Sequence, residues 1–448
     1  MLDISRNRVP TMETLYRLID GLHELQYNEL QLYTEHTFAY SGHETVWQDA
    51  SPMTASEIVS IDAYCAARGI ELVPNQNSFG HMERWLRHAP YRAMAESPDG
   101  FTLPWGERRE VGSTLYPDNR SAEFVDGLYE QLLPHFQSKQ LHIGGDEPWE
   151  LGKGRSAERA GEIGKHRIYL EFMQKLFALV KKHGHTAQFW ADIILERPDL
   201  VPELPKEVIP VIWGYESDSP LFEQCRVVAE SGFENQFYVA PGAGNWNSFS
   251  GRLDVAEANI RLAAEAGQAH GARGLLLTAW GDNGHHQPWL SLYPPLVIAS
   301  AAARGETLSE GELCRQIDRI FFPDQSEGHG AAICALGKID GMLPQPSPPD
   351  SFLHRAFFTS EAALEEHLRP MTGRAQLEQC RQTLDTIQTE GLDPEIQLAV
   401  NLNRAALART LKETMDPIRE TLAEVFAQQW RRHSRDGGLS ESISKMMI

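Results

Sequence analysis

Along the first two thirds of the chain, short apolar runs rich in β-branched or aromatic residues alternate with longer amphipathic stretches. This alternation limits the fold more than any other feature. The runs are "MLDIS", "NELQLYT", "IELVPNQ", "LHIGGD", "AQFWADI", "VIPVIWGY", "QFYVAPG" and "GLLLTAW". Between them the apolar positions follow a helical period. Leu15, Leu18, Ile19 and Leu22 fall at i, i+3, i+4 and i+7, and Ile168, Phe172, Leu176, Leu179 and Val180 repeat the rule. A strand that is apolar at nearly every position is buried on both faces, the condition of a parallel strand covered by helices. The sequence therefore predicts an α/β chain folded as a (β/α)8 TIM barrel. A doubly wound open sheet competes, but no glycine-rich phosphate turn follows the first strand. Polar residues also follow nearly every run: Arg6, Glu35, Asn75, Asp146 with Glu147, Asp192, Tyr215, Asn247 and Asp282. Groups that converge from many strand ends onto one mouth belong to a barrel.

The pattern changes near residue 304. The expected division is a catalytic barrel over residues 1–304 and a helical C-terminal domain over 305–448. Leu377, Cys380, Leu384 and Ile387 mark one helix there, and a later one runs from about Glu395 to Leu411. The tail from about Ser434 is expected to fray.

The formal net charge of −21 repels nucleic acid and anionic membranes, so neither is expected as a partner. Five widely spaced cysteines without a CxxC or Cys/His cluster predict buried free thiols in a reducing compartment, which favours the cytoplasm. No run is long enough to span a bilayer, and no signal peptide opens the chain. No cofactor motif is legible and no metal site is expected. A homodimer is compatible with the sequence.

The chemistry gathers in "LHIGGDEPWE", residues 141–150. Adjacent side chains on a strand face opposite ways, so Asp146 and Glu147 share a pocket only where the strand ends. Gly144 and Gly145 relax the backbone there, and Pro148 stops the ladder. Two nearby carboxylates do not ionise independently, and an apolar wall raises one of them further. Tryptophans abound at the strand ends: Trp149, Trp190, Trp213, Trp246 and Trp280. A protonated carboxylic acid beside an ionised one, among indole faces that suit sugar rings, points to glycoside cleavage. A solvated turn or a helix N-terminal charge would produce the same Asp-Glu pair.

"HIGGDE", His142 to Glu147, resembles the signature of family 20 glycoside hydrolases, the β-N-acetylhexosaminidases. "LDISR" resembles the first-strand segment whose arginine binds sugar hydroxyls, here Arg6. "VPNQNSFGH" resembles the third-strand segment that ends in Gly80 and His81. "FWAD", "VIWGY" and "TAWGD" resemble the strand ends whose tryptophans box the acetamido group, here Trp190, Trp213 and Trp280. The resemblance implies substrate-assisted, retaining, exo-acting hydrolysis of terminal β-linked N-acetylglucosamine or N-acetylgalactosamine from an oligosaccharide or glycoconjugate. In that scheme Glu147 is the general acid, Asp146 holds the acetamido N–H, and Tyr215 contacts the acetamido oxygen. The chain departs from the family at two points. The tyrosine usually follows the seventh strand, and the last motif usually ends in glutamate, where this chain has Asp282.

The remaining candidates divide by role. Arg6 suits either a ligand contact or a pair with Asp3. His81 and His142 are expected as hydrogen-bonding support for the substrate pocket. Trp246 and Asn247 suit substrate contact or loop packing equally. Glu35 suits a sugar contact or a helix cap. His285 and His286 in "GDNGHH" are expected in a solvated loop, and the segment from Met94 to Asn119 is a long loop that suits either a gate over the pocket or plain disorder. Two other functions compete: a metal-dependent barrel hydrolase using His81, His142, Asp146 and Glu147, and a catalytically silent carbohydrate-binding barrel.

Overall fold

The computed structural model describes residues 1–6, 8–325, 327–413 and 416–447. Eight parallel strands form its centre: β1 (Leu2–Asp3), β2 (Glu29–Tyr33), β3 (Glu71–Val73), β4 (Gln140–His142), β5 (Thr186–Trp190), β6 (Ile209–Trp213), β7 (Tyr238–Ala240) and β8 (Gly274–Leu275). Strands β1 to β3 pair in order, as do β4 to β8. Two backbone bridges close the ring. His142 N–H donates to Pro74 O at 2.9 Å and Gln76 N–H to His142 O at 3.0 Å, which joins β3 to β4. Asp3 N–H donates to Ala279 O at 2.9 Å and Ala279 N–H to Met1 O at 3.0 Å, which joins β8 to β1. The result is the expected barrel.

The covering helices are α1 (Met12–Glu24), α2 (Ala55–Ala66), α3 (Asn119–Leu132), α4 (Lys165–Lys182), α5 (Asp192–Leu195), α6 (Leu221–Val228), α7 (Leu253–Ala269) and α8 (Tyr293–Ala303). Each is held by its apolar face; in α1 that face is Leu15, Leu18, Ile19 and Leu22, all buried. Side chains satisfy the open N–H groups at helix starts. Thr54 and Glu57 form a capping box on α2, and Asp118 accepts from Ser121 N–H ahead of α3.

From Glu310 onward the named elements are helices: α9 (Glu310–Phe321), α10 (His329–Gly337), α11 (Phe352–Phe358), α12 (Arg374–Thr386), α13 (Pro394–Thr410), α14 (Asp416–His433) and α15 (Leu439–Met446), with shorter turns between. They pack on the barrel through Arg8. Its buried guanidinium donates to Ser434 Oγ at 2.9 Å and Gln287 O at 2.9 Å, and lies 4.7 Å from the Trp430 ring centroid. Thr11 N–H donates to His433 O, and Arg435 N–H to Val9 O.

Two expectations are corrected here. The tail beyond Ser434 is ordered as α15, because Leu439, Ser442 and Met446 bury one face of it. The "GDNGHH" turn is enclosed rather than solvated. His286 packs against Phe358 at 4.4 Å and its Nε2 meets Ser442 O at 3.0 Å. Among the described residues no helix is long and apolar enough to cross a membrane. All five cysteines are free, four of them buried.

Candidate active site

Strand β4 delivers the two carboxyl groups. Its ladder runs as far as Gly144, whose carbonyl accepts from Trp190 N–H at 3.0 Å. Gly144 and Gly145 then take positive φ of 71° and 100°, and Glu147 itself sits at φ 48°. A left-handed conformation at a non-glycine residue costs on the order of 1–3 kcal/mol and persists only where its surroundings enforce it. It is also what turns Glu147 back toward the face that Asp146 occupies. From the neighbouring strand end, Gly80 approaches so closely that a Cβ there would lie 2.2 Å from Asp146 O. Next to it, His81 takes φ 56°.

His81 links both carboxyls. Its Nε2 lies 3.1 Å from Asp146 Oδ2 and 3.5 Å from Glu147 Oε2, while Nδ1 lies 3.1 Å from Arg6 Nη2. Burial opposes charge on the imidazole, yet the Asp146 carboxylate outweighs it and raises His81 to about 9. The same contact acts in reverse on Asp146. Burial pushes its carboxyl up, but His81 and Arg6 hold it below the ordinary carboxylate value. Glu147 goes the other way, raised by burial and by the Asp146 charge. Adjacent carboxyls pushed apart in this way divide into an anion and a protonated acid.

Arg6 braces the opposite wall. It donates to Glu35 Oε1 at 3.1 Å and to Asp282 Oδ1 at 2.7 Å, and lies 3.5 Å from Asp3. The alternatives weighed for Arg6 and Glu35 thus resolve into one network, since Glu35 also accepts from Tyr33 OH at 3.0 Å. Arg6, Glu35, His81, Glu147, Trp149 and Asp282 line a cavity of about 340 Å³ that opens at the strand ends. Part of its wall comes from the loop over residues 94–119, which carries a hairpin of Phe101–Thr102 against Arg108–Arg109.

Beside the carboxyls lies a packed aromatic cluster, the aromatic chamber, in which Trp190, Trp246 and Trp280 are buried and Trp213 and Tyr215 partly so. Trp213 stacks on Tyr215 at 4.9 Å and 22°, and Tyr215 meets Trp246 edge-on at 5.3 Å. Trp280 lies 6.0 Å from Trp190 and 6.3 Å from Tyr215. Burial keeps the Tyr215 phenol well above its ordinary value, so it remains a neutral donor. Asp146 Oδ1 and the Trp190 indole nitrogen are enclosed and have no hydrogen-bond partner among the described residues, whereas the Trp213 indole faces Asp192 and the Trp280 indole faces Tyr215.

Of the predicted residues, Arg6, His81, Glu147 and Asp282 line this cavity, whereas Asp146, Tyr215, His142, Asn247, Trp190, Trp213, Trp246 and Trp280 do not. His142 is fully buried beneath the chamber, 4.4 Å from the Trp190 ring, with Nδ1 accepting from Gly144 N–H at 3.2 Å. Asn247 accepts from Asn283 Nδ2 at 3.0 Å and sits at φ 51°, a loop-building role. Asp192 was visible only as a strand-end polar group. Burial and the charges of Asp146 and Glu147 push its carboxyl well above the ordinary range. Its signal was present: "WAD" at the end of β5 repeats the Trp-x-Asp shape of "WGD", which ends in Asp282. Among the described residues no group of three or more His, Cys, Asp or Glu is arranged to hold a metal ion.

A closed parallel barrel with an acid–anion carboxyl pair at its mouth defines a glycoside hydrolase class. Residues 1–235, just over half of the chain, match the family described as glycosyl hydrolase family 20, catalytic domain, and the chain belongs to that family. It is 25% identical over 315 residues to Hexosaminidase D of Homo sapiens, an alignment covering 65% of this chain and 62% of the human protein. Hexosaminidase D of Bos taurus is 24% identical over 309 residues, covering 65% of this chain and 86% of that one. The chain thus spans less than two thirds of the human relative. Among solved structures, the chitobiase of Flavobacterium johnsoniae aligns over 100% of this chain and 77% of its own. That match has a TM-score of 0.56 at 16% identity, a likeness of fold.

Proposed function

We propose that the chain is an exo-acting, retaining β-N-acetylhexosaminidase that removes terminal β-linked N-acetylglucosamine or N-acetylgalactosamine. One observation carries the reading: His81 holds Asp146 ionised while Glu147, next in sequence, is raised. The aromatic chamber encloses the terminal sugar, with Arg6 and Asp282 on its hydroxyls. Asp146 Oδ1, buried and unpaired among the described residues, receives the acetamido N–H. The acetamido oxygen, steadied by the Tyr215 hydroxyl, attacks the anomeric carbon as Glu147 gives its proton to the departing oxygen. The positive charge that grows on the acetamido group is met by the Asp146 carboxylate. Glu147, now ionised, takes a proton from water, and that water opens the oxazolinium ring with net retention.

Initial rates on the nitrophenyl β-glycosides of N-acetylglucosamine, N-acetylgalactosamine, glucose and galactose test this reading. Turnover is expected only on the two acetamido sugars. Comparable turnover on the plain glycosides overturns substrate assistance, because it requires a nucleophile from the enzyme.

A further inference from the structure

The residues assigned above form the inner wall of the mouth cavity. Its outer wall comes from three segments far apart in sequence: the 101–109 hairpin, the turn Glu83–Leu86 and α15. From them Trp105, Arg109, Arg84 and Lys445 face the cavity, together with Glu83 and Glu441. Trp105 is 63% exposed, unusual for an indole, and sits edge-on to Trp149 with centroids 5.5 Å apart. The pair makes an apolar ledge beginning two residues beyond Glu147.

The three cations beside this ledge are not equally paired. Arg84 is held by Glu441 at 3.1 Å, and Arg109 reaches Glu107 at 3.2 Å. Lys445 makes no ion pair or hydrogen bond among the described residues, although it is only partly exposed. Burial lowers its ammonium below the ordinary value; Glu441 and Glu83 oppose this, while Arg84 and Arg109 add to it. Lys445 is nonetheless fixed in place. Ser442 Oγ donates to Gly284 O at 2.6 Å, and Arg419 Nη1 donates to Met446 O at 2.7 Å, so α15 is bound on both sides of the lysine. The glutamates of this wall thus leave Lys445 as the cation without a direct partner, and a partly desolvated charge of that kind is unfavourable unless an anion joins it.

We infer that this outer wall is a subsite for an acidic leaving group: the sugar beyond the cleaved bond rests on Trp105, and its carboxylate or sulfate meets Lys445. The inference rests on the hexosaminidase reading, in which the terminal sugar fills the inner chamber and the rest of the substrate leaves through the mouth. It gives the helical C-terminal region a part in choosing substrates.

The test compares kcat/KM on three disaccharides with the same terminal N-acetylhexosamine, β-linked to glucose, to glucuronic acid or to 6-sulfated glucose. A nitrophenyl N-acetylhexosaminide serves as reference. One or both acidic disaccharides should be favoured over the neutral one by about tenfold, an advantage that shrinks in 0.5 M NaCl. Lys445→Gln should erase the advantage, Lys445→Arg should keep it and Lys445→Glu should invert it. A larger gain with glucuronic acid identifies a uronate as the natural group, and a larger gain with the sulfate identifies a sulfated sugar. Nitrophenyl turnover with equal rates on all three disaccharides overturns this inference alone, as does an advantage that survives Lys445→Gln. Silence on every substrate overturns the hexosaminidase reading, and this inference with it.

Discussion

At the base of the barrel, where the strands begin, polar side chains close on one another. Gln31 donates to Glu29 and to Gln188, Gln188 to Gln140, and Gln140 to Glu71, with Tyr238 OH donating to Glu29. At the mouth, β4 and β5 end in Asp146 and Trp190, whose Oδ1 and Nε1 have no partner among the described residues. The base holds the larger cavity, about 420 Å³ against about 340 Å³. Size therefore does not locate the chemistry. What separates the ends is the use of their carboxylates: Glu29 and Glu71 at the base hold neighbouring strands, although Gln31 Oε1 there has no partner among the described residues, and the mouth keeps Asp146 and Glu147 available.

The largest effect that sharpens this contrast lies in the carboxyl pair. Glu147→Gln should lower turnover about a thousandfold on substrates with poor leaving groups and far less on nitrophenyl substrates, whose departure needs little acid help. Asp146→Asn should lower both by a hundredfold or more, since the acetamido group loses its anchor whatever the leaving group. Steady-state kinetics on the two substrate types distinguishes the roles; equal, small losses in both variants would break the mechanism.

A smaller effect compares two glycines. In Gly80→Ala the new Cβ meets the Asp146 carbonyl at 2.2 Å, backbone against backbone, so about 1–3 kcal/mol of stability should be lost together with most activity. In Gly274→Ala, at the base, the nearest atom is the Tyr238 ring edge at 2.8 Å, and the ring must shift against its hydrogen bond to Glu29. Stability should fall by about 1–2 kcal/mol, with kcat/KM intact. Thermal unfolding followed beside activity checks both; equal loss of activity from each would dissolve the distinction between mouth and base.

The smallest is a shift in pH dependence. Glu147 is raised, so the acid form survives above the ordinary carboxyl value and activity declines as pH climbs through its titration. Asp146 is lowered, so its anion is lost only as pH falls below the ordinary aspartate value. His81→Asn removes a positive charge that favours both anions, so both limbs of the kcat/KM profile should move to higher pH, by about one unit. Limbs that stay in place would show that His81 does not set the pair.

Much of this was legible in the sequence, for identifiable reasons. Parallel strands buried on both faces read as unbroken apolar runs, so all eight were visible, although the observed strands are shorter than the runs. The Gly-Gly-Asp-Glu turn declared a strand end because glycine permits the φ that the turn needs. The network of Arg6, Glu35 and Asp282 was harder. Each residue was visible at its strand end, but the pairing joins positions 6, 35 and 282, which meet only once the barrel closes. Lys445 was invisible, since a lysine on a polar helix has no distinguishing neighbour in sequence and Arg84 lies 357 positions before its helix partner Glu441. The ordered tail did carry a signal. Leu439, Ser442 and Met446 fall at i, i+3 and i+7, a stripe hidden by the serines around it.

The bridge from residues 9–11 to 433–435, with α15 beside it, also has a consequence in time. The ring of strands is complete once Ala279 is available to β1, whereas the wall that carries Lys445 needs a further 166 residues (279 to 445). At about 5–20 residues per second, synthesis of that stretch takes roughly ten to thirty seconds. During that interval a nascent chain already holds Asp146 and Glu147 within a closable barrel, with its mouth still open on the side that α15 will cover.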